Sequence, residues 1–161
     1  MSLGLFAGTQ LFAQTSKNKT LIVDQSVTIA ENLHRSGSHS EFTQALKSSG
    51  IMQQLDGKGP YSVFALDDAS WKKLPQMDAE AMNAFLKNHI LPVKLDQMEL
   101  ASRLKANMGS FTVSSLNDVE VTLRLDGEKL ILDIPGSEPE HVIIRALENS
   151  NGLLNATDYS L

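Results

Sequence analysis

The stretch YSVFALDDASWKKLP, residues 61–75, decides how the rest of the chain is read. Tyr61–Leu66 is a short apolar run introduced by the turn-rich DGKGP, which marks a strand. Asp67 and Asp68 interrupt it, and a short helix carrying the chain's single tryptophan, Trp71, follows at once. Two carboxylates at such a junction have three physical uses. A metal site needs further oxygen or imidazole ligands converging on them, and no local spacing supplies these. An acid/base pair needs a partner whose pKa is pushed apart from its own. A carboxylate just before a helix needs only the helix, because it accepts from free N–H groups at the positive end of the dipole. Asp67 and Asp68 are therefore read as helix-starting residues, with Trp71 and Leu74 three apart on one face to plug the core.

Working outward, helix-start signals cluster in the first two-thirds. Thr28 with Glu31, Ser38 with Glu41 and Asp96 with Glu99 have capping-box spacing. After Ser38, Phe42, Ala45 and Leu46 share one helical face, and Gly50 supplies a stop. Another helix starts at Asp78, with Met82, Phe85, Leu86 and His89 as one stripe, and Pro92 is expected to end it. The last third alternates instead. Val119, Val121, Leu123 and Leu125 interleave with polar residues, Asp126-Gly127 turns the chain, and Leu130, Leu132 and Ile134 resume the pattern. That is a β-hairpin signature. HVIIRAL reads as another strand and ENSNGLLNATDYSL as a turn into a final one. Helices first and strands later give an α+β class rather than alternating βα units.

Composition bounds the function. The 161 residues suit one domain, at 42% hydrophobic and 20% charged. A net charge of −5 without a Lys/Arg cluster argues against a nucleic-acid binder. The absence of Cys excludes disulfides, thiolate zinc sites and cysteine nucleophiles. Residues 1–20 are set apart, with 21–161 as the single domain. Gly4–Ala13 is apolar and then turns polar, like the tail of a secretory signal cut near Ala13; a loosely packed native arm is the alternative. No stretch reaches the roughly 20 apolar residues that span a bilayer.

Candidate chemistry is sparse. His34 and His39 flank RSGS in an inter-helix loop and are expected in solvent, while His141 follows a Pro/Glu-rich turn. His89, on an apolar stripe near a helix end with free carbonyls, is expected to be largely buried, to donate a hydrogen bond to backbone or a neighbouring side chain, and to hold the helix against the sheet. No GxSxG elbow, HExxH pair, phosphate-cradling loop or EF-hand loop occurs, so no catalytic residue, metal or cofactor is assigned. Asn18-Lys19-Thr20 and Asn155-Ala156-Thr157 are formal glycosylation sequons.

Three blocks in order, FTQALKSSGIMQQLDGKGPYSVFALDDASWKKLP, LKNHILPVKL and SNGLLNATDYSL, together resemble a fasciclin domain over roughly residues 27–161. Ser62, Val63, Phe64 and Ala65 match the family's Thr-Val-Phe-Ala strand, and Trp71 takes the aromatic place of the helix after it. His89, Pro92, Lys94 and Leu95 match the Tyr-His-Val-Val-Pro-Gly block, and Asn151 and Gly152 match the Asn-Gly of the last segment. Leu66 replaces the family's proline, Asn88 the tyrosine before the histidine, Val93 a glycine, and Asn155 a second histidine. Ala146-Leu147 stands where adhesive members carry Asp-Ile. The resemblance implies a wedge of β-sheets, sandwich-like and flanked by several short helices, in an exported, periplasmic or cell-surface module. It implies a non-enzymatic module that binds an extracytoplasmic protein or polysaccharide, with Asn88 and His89 as binding candidates; a monomer is expected, and Asp67, Asp68, Trp71, Asn151 and Gly152 are read as structural. The alternative is a small-ligand-binding protein or enzyme using a pocket on the same scaffold.

Overall fold

The computed structural model describes residues 26–159. The apolar Gly4–Ala13 segment, its expected cleavage site and the first sequon lie outside them. The described chain runs α1 (Ile29–Arg35), α2 (Ser40–Ser49), α3 (Ile51–Leu55), β1 (Tyr61–Leu66), α4 (Asp68–Trp71), α5 (Ala79–Asn88), β2 (Ile90–Leu91), α6 (Gln97–Ala106), β3 (Ser110–Ser114), β4 (Glu120–Asp126), β5 (Lys129–Asp133), β6 (Glu140–Asn149) and β7 (Gly152–Asp158). This is an α+β fold, helices first and most of the sheet after.

The strands form one sheet in the order β2-β1-β7-β6-β5-β4-β3. Every adjacent pair is antiparallel except β1 with β7, which run parallel from Tyr61 opposite Gly152 to Leu66 opposite Thr157. Both members of that pair are covered on both faces: all seven residues of β7 and five of six in β1 are buried. A strand buried on both faces reads as a continuous apolar run, which is why Tyr61–Leu66 shows no alternation. Val63 and Ala65 join Leu154 and Ala156 beneath α1, α2, α3 and α5, whereas Phe64 turns to a second cluster with Phe111, Leu123 and Leu132 from the other end of the sheet. The Leu116 N–H also donates to the Ile90 carbonyl at 2.9 Å. The sheet therefore curls so that the chain two residues past the end of β3 reaches β2, giving a single barrel-like wedge.

The hairpin follows its pattern. β4 and β5 pair from Thr122 opposite Asp133 to Asp126 opposite Lys129. The two-residue loop is thus Gly127-Glu128, and Gly127, at φ 64°, takes the left-handed position that a Gly-first hairpin turn needs. Leu125 departs from expectation: at the hairpin tip it runs past the core and is 46% exposed.

Three further local readings are corrected. Gly50 does cap α2, at φ 81° with its N–H on the Lys47 carbonyl, but it also opens α3, so the chain stays helical to Leu55. Pro92 does not end α5. That helix stops at Asn88 because Ile90 and Leu91 leave it to pair with Val63 and Ser62 of β1. His39 is not in solvent; it is the N-cap residue of α2, fully buried, with its Nδ1 at 2.9 Å from the Ser36 hydroxyl and 3.0 Å from that of Ser38.

Candidate functional site

Asp67 and Asp68 start helices, but two different ones. Asp67, at the end of β1, accepts from the Ser70 N–H at 2.9 Å and is the N-cap of α4. Asp68 accepts from the Glu41 N–H and the Ser40 hydroxyl, both at 2.8 Å. It therefore caps α2 from 27 residues away, and the Ser38–Glu41 capping box expected from spacing does not form. α4 ends at Trp71, so Leu74 lies in the turn beyond it rather than on its face. Both are half-buried against the helix-side core all the same. Trp71 meets Phe42 and Phe85 edge-on at ring separations of 6.3 and 6.1 Å, a favourable aromatic geometry.

His89 ends α5 as its C-cap residue and has no exposed surface. Its Nδ1 lies 2.8 Å from the Phe85 carbonyl and its Nε2 2.5 Å from the Glu140 carboxylate. The other Glu140 oxygen accepts from the Thr157 hydroxyl at 2.6 Å, and all three side chains are buried. Burial pushes the imidazole pKa down, but the charge of Glu140, its hydrogen bond and the Phe85 carbonyl outweigh this and hold it above the ordinary value. Both ring nitrogens then donate. The resulting ion pair ties the end of α5 to β6 and β7.

Above this buried knot lies a cleft of about 950 Å³ between α5, the α4–α5 connection and the β5–β6 loop, residues 134–139. Leu74, Met77, Ala84 and Phe85 give it an apolar floor; Lys73, Asn88, Glu138 and Tyr159 are polar groups at its margin. Asn88 Oδ1 accepts from the Ser115 hydroxyl at 3.0 Å, which fixes the amide in the wall. Burial, with the charges of Glu140 and Glu138, raises the Tyr159 phenol far above its usual pKa, so it remains a neutral donor and acceptor. Asn88 and His89, adjacent in sequence, thus separate: Asn88 lines the cleft and His89 is sealed under it.

Ser150 and Asn151 form the β6–β7 turn, and Gly152, opposite Asn149, is the first residue of β7. The Asn151 amide donates to the Leu55 and Gly57 carbonyls at 2.7 and 2.6 Å, and its Oδ1 accepts from the Ile29 N–H at 3.0 Å. Gly152 has φ 152°, and a Cβ there would stand 2.0 Å from the Tyr61 carbonyl oxygen. Asn155, in the second sequon, lies inside β7 and is only 6% exposed. Among the described residues no group of three or more His, Asp or Glu side chains is arranged to hold a metal ion. No described helix is long and apolar enough to cross a membrane.

Sequence reasoning missed Glu140, Thr157 and Tyr159. Glu140 closes a Pro/Glu-rich stretch whose composition signals only a turn, and no local spacing joins it to His89, 51 residues earlier.

The family model for the fasciclin domain matches residues 37–161. No curated protein sequence matches the chain. Among solved structures, a fasciclin domain pair from the insect cell adhesion molecule fasciclin I superposes with a TM-score of 0.67 at 17% identity. That match covers 85% of this chain and 51% of the other, so the chain spans about half of that structure. Helix order, the curled sheet and the Asn-Gly turn together with the family match lead to one conclusion: the chain belongs to the fasciclin domain family.

Proposed function

We propose that this chain is a non-catalytic, exported interaction module that recognises an extracytoplasmic protein through the cleft beside α5. One observation carries the reading: a cleft of about 950 Å³, open along one side, joins an apolar floor to polar side chains at its margin. Such a surface suits a polypeptide segment that seats apolar side chains on Leu74 and Met77 while its backbone meets Asn88 and Tyr159. A polysaccharide is served less well, since Phe85 is only 7% exposed and leaves the half-buried Tyr159 at the margin as the single ring a sugar could stack on. The alternative of a small-ligand enzyme would need a cleft group poised to take up a proton. Tyr159, held neutral by its raised pKa, is not one, which leaves the Glu138 carboxylate on the β5–β6 loop as the cleft group such a reaction would have to use.

Ala81, an exposed residue of α5, lines the mouth, so Ala81→Arg narrows the cleft without touching the core. A pull-down from the envelope fraction should capture the same protein with the parent as bait and lose it with Ala81→Arg, at unchanged melting temperature. Equal capture by both baits removes the cleft from the account. The purified protein should also be inert toward general ester, peptide and phosphate substrates, and a reproducible turnover abolished by replacing a single polar side chain, Glu138→Gln or Tyr159→Phe, would move it to the enzyme class.

A further inference from the structure

β3 is the last strand of the sheet on the side away from β2 in hydrogen-bonding order. The Leu125 N–H donates to the Gly109 carbonyl at 2.8 Å and the Ser115 N–H to the Val119 carbonyl at 2.9 Å. With Phe111 opposite Leu123 and Val113 opposite Val121, the odd-numbered residues turn their backbone groups toward β4. In an antiparallel ladder the alternate residues turn theirs away. Ser110, Thr112 and Ser114 therefore present N–H and C=O groups along the outer edge. The next residue of that parity, Leu116, sends its N–H outward to Ile90, and the Ser110 N–H makes only a long 3.4 Å bond to the Asn107 carbonyl. The Thr112 N–H and C=O and the Ser114 N–H have no backbone partner among the described residues.

Natural sheets blunt such edges with charge, proline or a bulge. Ser110-Phe111-Thr112-Val113-Ser114 carries no charge and no proline, and its register with β4 is unbroken. It is also close to a palindrome about Thr112. We propose that β3 pairs antiparallel with β3 of a second copy of this chain, across a twofold axis at Thr112. In that register the two Thr112 residues exchange a pair of hydrogen bonds, and Ser110 exchanges another with Ser114 of the second copy, so every outward group of the strand is used. The exposed face gains a Ser–Thr–Thr–Ser ladder, and the core-facing side sets Phe111 beside Val113 of the second copy; both are favourable cross-strand pairs. The register also brings Met108, 97% exposed, opposite Leu116 of the second copy. An isologous contact of this kind closes at two copies. A five-residue strand pair buries less than the roughly 1,200 Å² of a standard stable interface, so the association is weak and strengthens where modules are arrayed. It departs from the monomer expected from sequence, and it shares no residue with the cleft.

Thr112 is exposed and its side chain makes one long bond, 3.4 Å to Glu120, so it can be changed without entering the core. Sedimentation equilibrium of the full chain should show a reversible dimer. Thr112→Lys and Thr112→Glu, each alone, should weaken it by about tenfold or more, because like charges meet on the axis. A one-to-one mixture of the two should restore it. Thr112→Pro, which removes only an outward N–H, should abolish dimerisation while the melting temperature stays near that of the parent. Amide exchange at Thr112 and Ser114 should slow as the parent is concentrated. A parent that stays monomeric at millimolar concentration, single variants that associate as the parent does, or a mixture that fails to recover the dimer would each overturn the pairing.

Discussion

Replacing His89 with alanine removes the cation from a carboxylate that has no exposed surface. Glu140 would keep the Thr157 hydroxyl at 2.6 Å, but its charge would be uncompensated in the interior. From position on the helix alone, the loss is one orphaned hydrogen bond plus packing, about 1–3 kcal/mol. The Glu140 contact changes the estimate, because removing one member of a buried ion pair costs about 3–5 kcal/mol. The ring also lies 4.5 Å from Phe85 and 6.0 Å from Phe42, so its removal opens space in the helix-side core. We expect the upper range, read by urea unfolding at pH 7. Glu140→Gln should be comparably damaging, and the double variant should cost less than the sum of the two. The pH dependence has a definite sign. Because folding raises the His89 pKa above its usual 6.5, the stabilisation is fully present below about pH 6.5 and is lost as pH rises through the folded value. The groups facing the ring are the Glu140 carboxylate and the Phe85 carbonyl. Relative to the His89→Gln/Glu140→Gln double variant, which carries neither titrating group, the parent should therefore lose stability above pH 6.5, at up to about 1.4 kcal/mol per pH unit for one proton. A His89→Ala protein within 1 kcal/mol of the parent, or a parent-minus-variant difference that rises with pH, would refute the buried ion pair.

Asp67→Ala should cost about 0.5–2 kcal/mol and Asp67→Asn much less, since an amide oxygen still accepts from Ser70; metal binding lost on the Asp-to-Asn change would show a different role. Asp68→Ala should cost a similar amount through α2 rather than α4, detected as faster amide exchange at Glu41. Gly152→Ala should prevent folding or cost more than about 4 kcal/mol, because the new Cβ would lie 2.0 Å from backbone, which cannot rotate away. Gly50→Ala, with nothing within 4 Å, should show only the cost of a left-handed residue, about 1–2 kcal/mol; equal melting temperatures for the two variants would contradict the close approach of β1 to β7.

What was legible in the sequence is what the backbone decides over a few residues. Thr28, Asp67, Asp78 and Asp96 each accept from an N–H three residues on, because an N-cap needs only its own helix. The β4–β5 hairpin was legible for the same reason, since alternation and a two-residue loop fix its register locally. β2 was not, because two residues carry no period. Ile90 and Leu91 are strand only because β1 lies beside them, and that same pairing cuts α5 short of Pro92. Ser38 shows how a local rule loses. Its capping-box spacing is correct, but its hydroxyl is taken up by His39, and Asp68 arrives at Glu41 once β1 has delivered it there.

His89 marks the boundary between the two kinds of information. Position near a helix end dictates a donor facing a carbonyl, and the Phe85 bond is that donor. The second ring nitrogen has no local claim on it, so its partner depends on which strand the sheet places opposite. β6 enters the sheet at Glu140, between β5 and β7, and the Pro/Glu-rich turn before it delivers that carboxylate inward rather than to solvent. A single sequence cannot separate a turn glutamate that stays in water from one carried into the core. The difference lies in a pairing 51 residues long, and with it goes the distinction between a modest hydrogen bond and a buried ion pair.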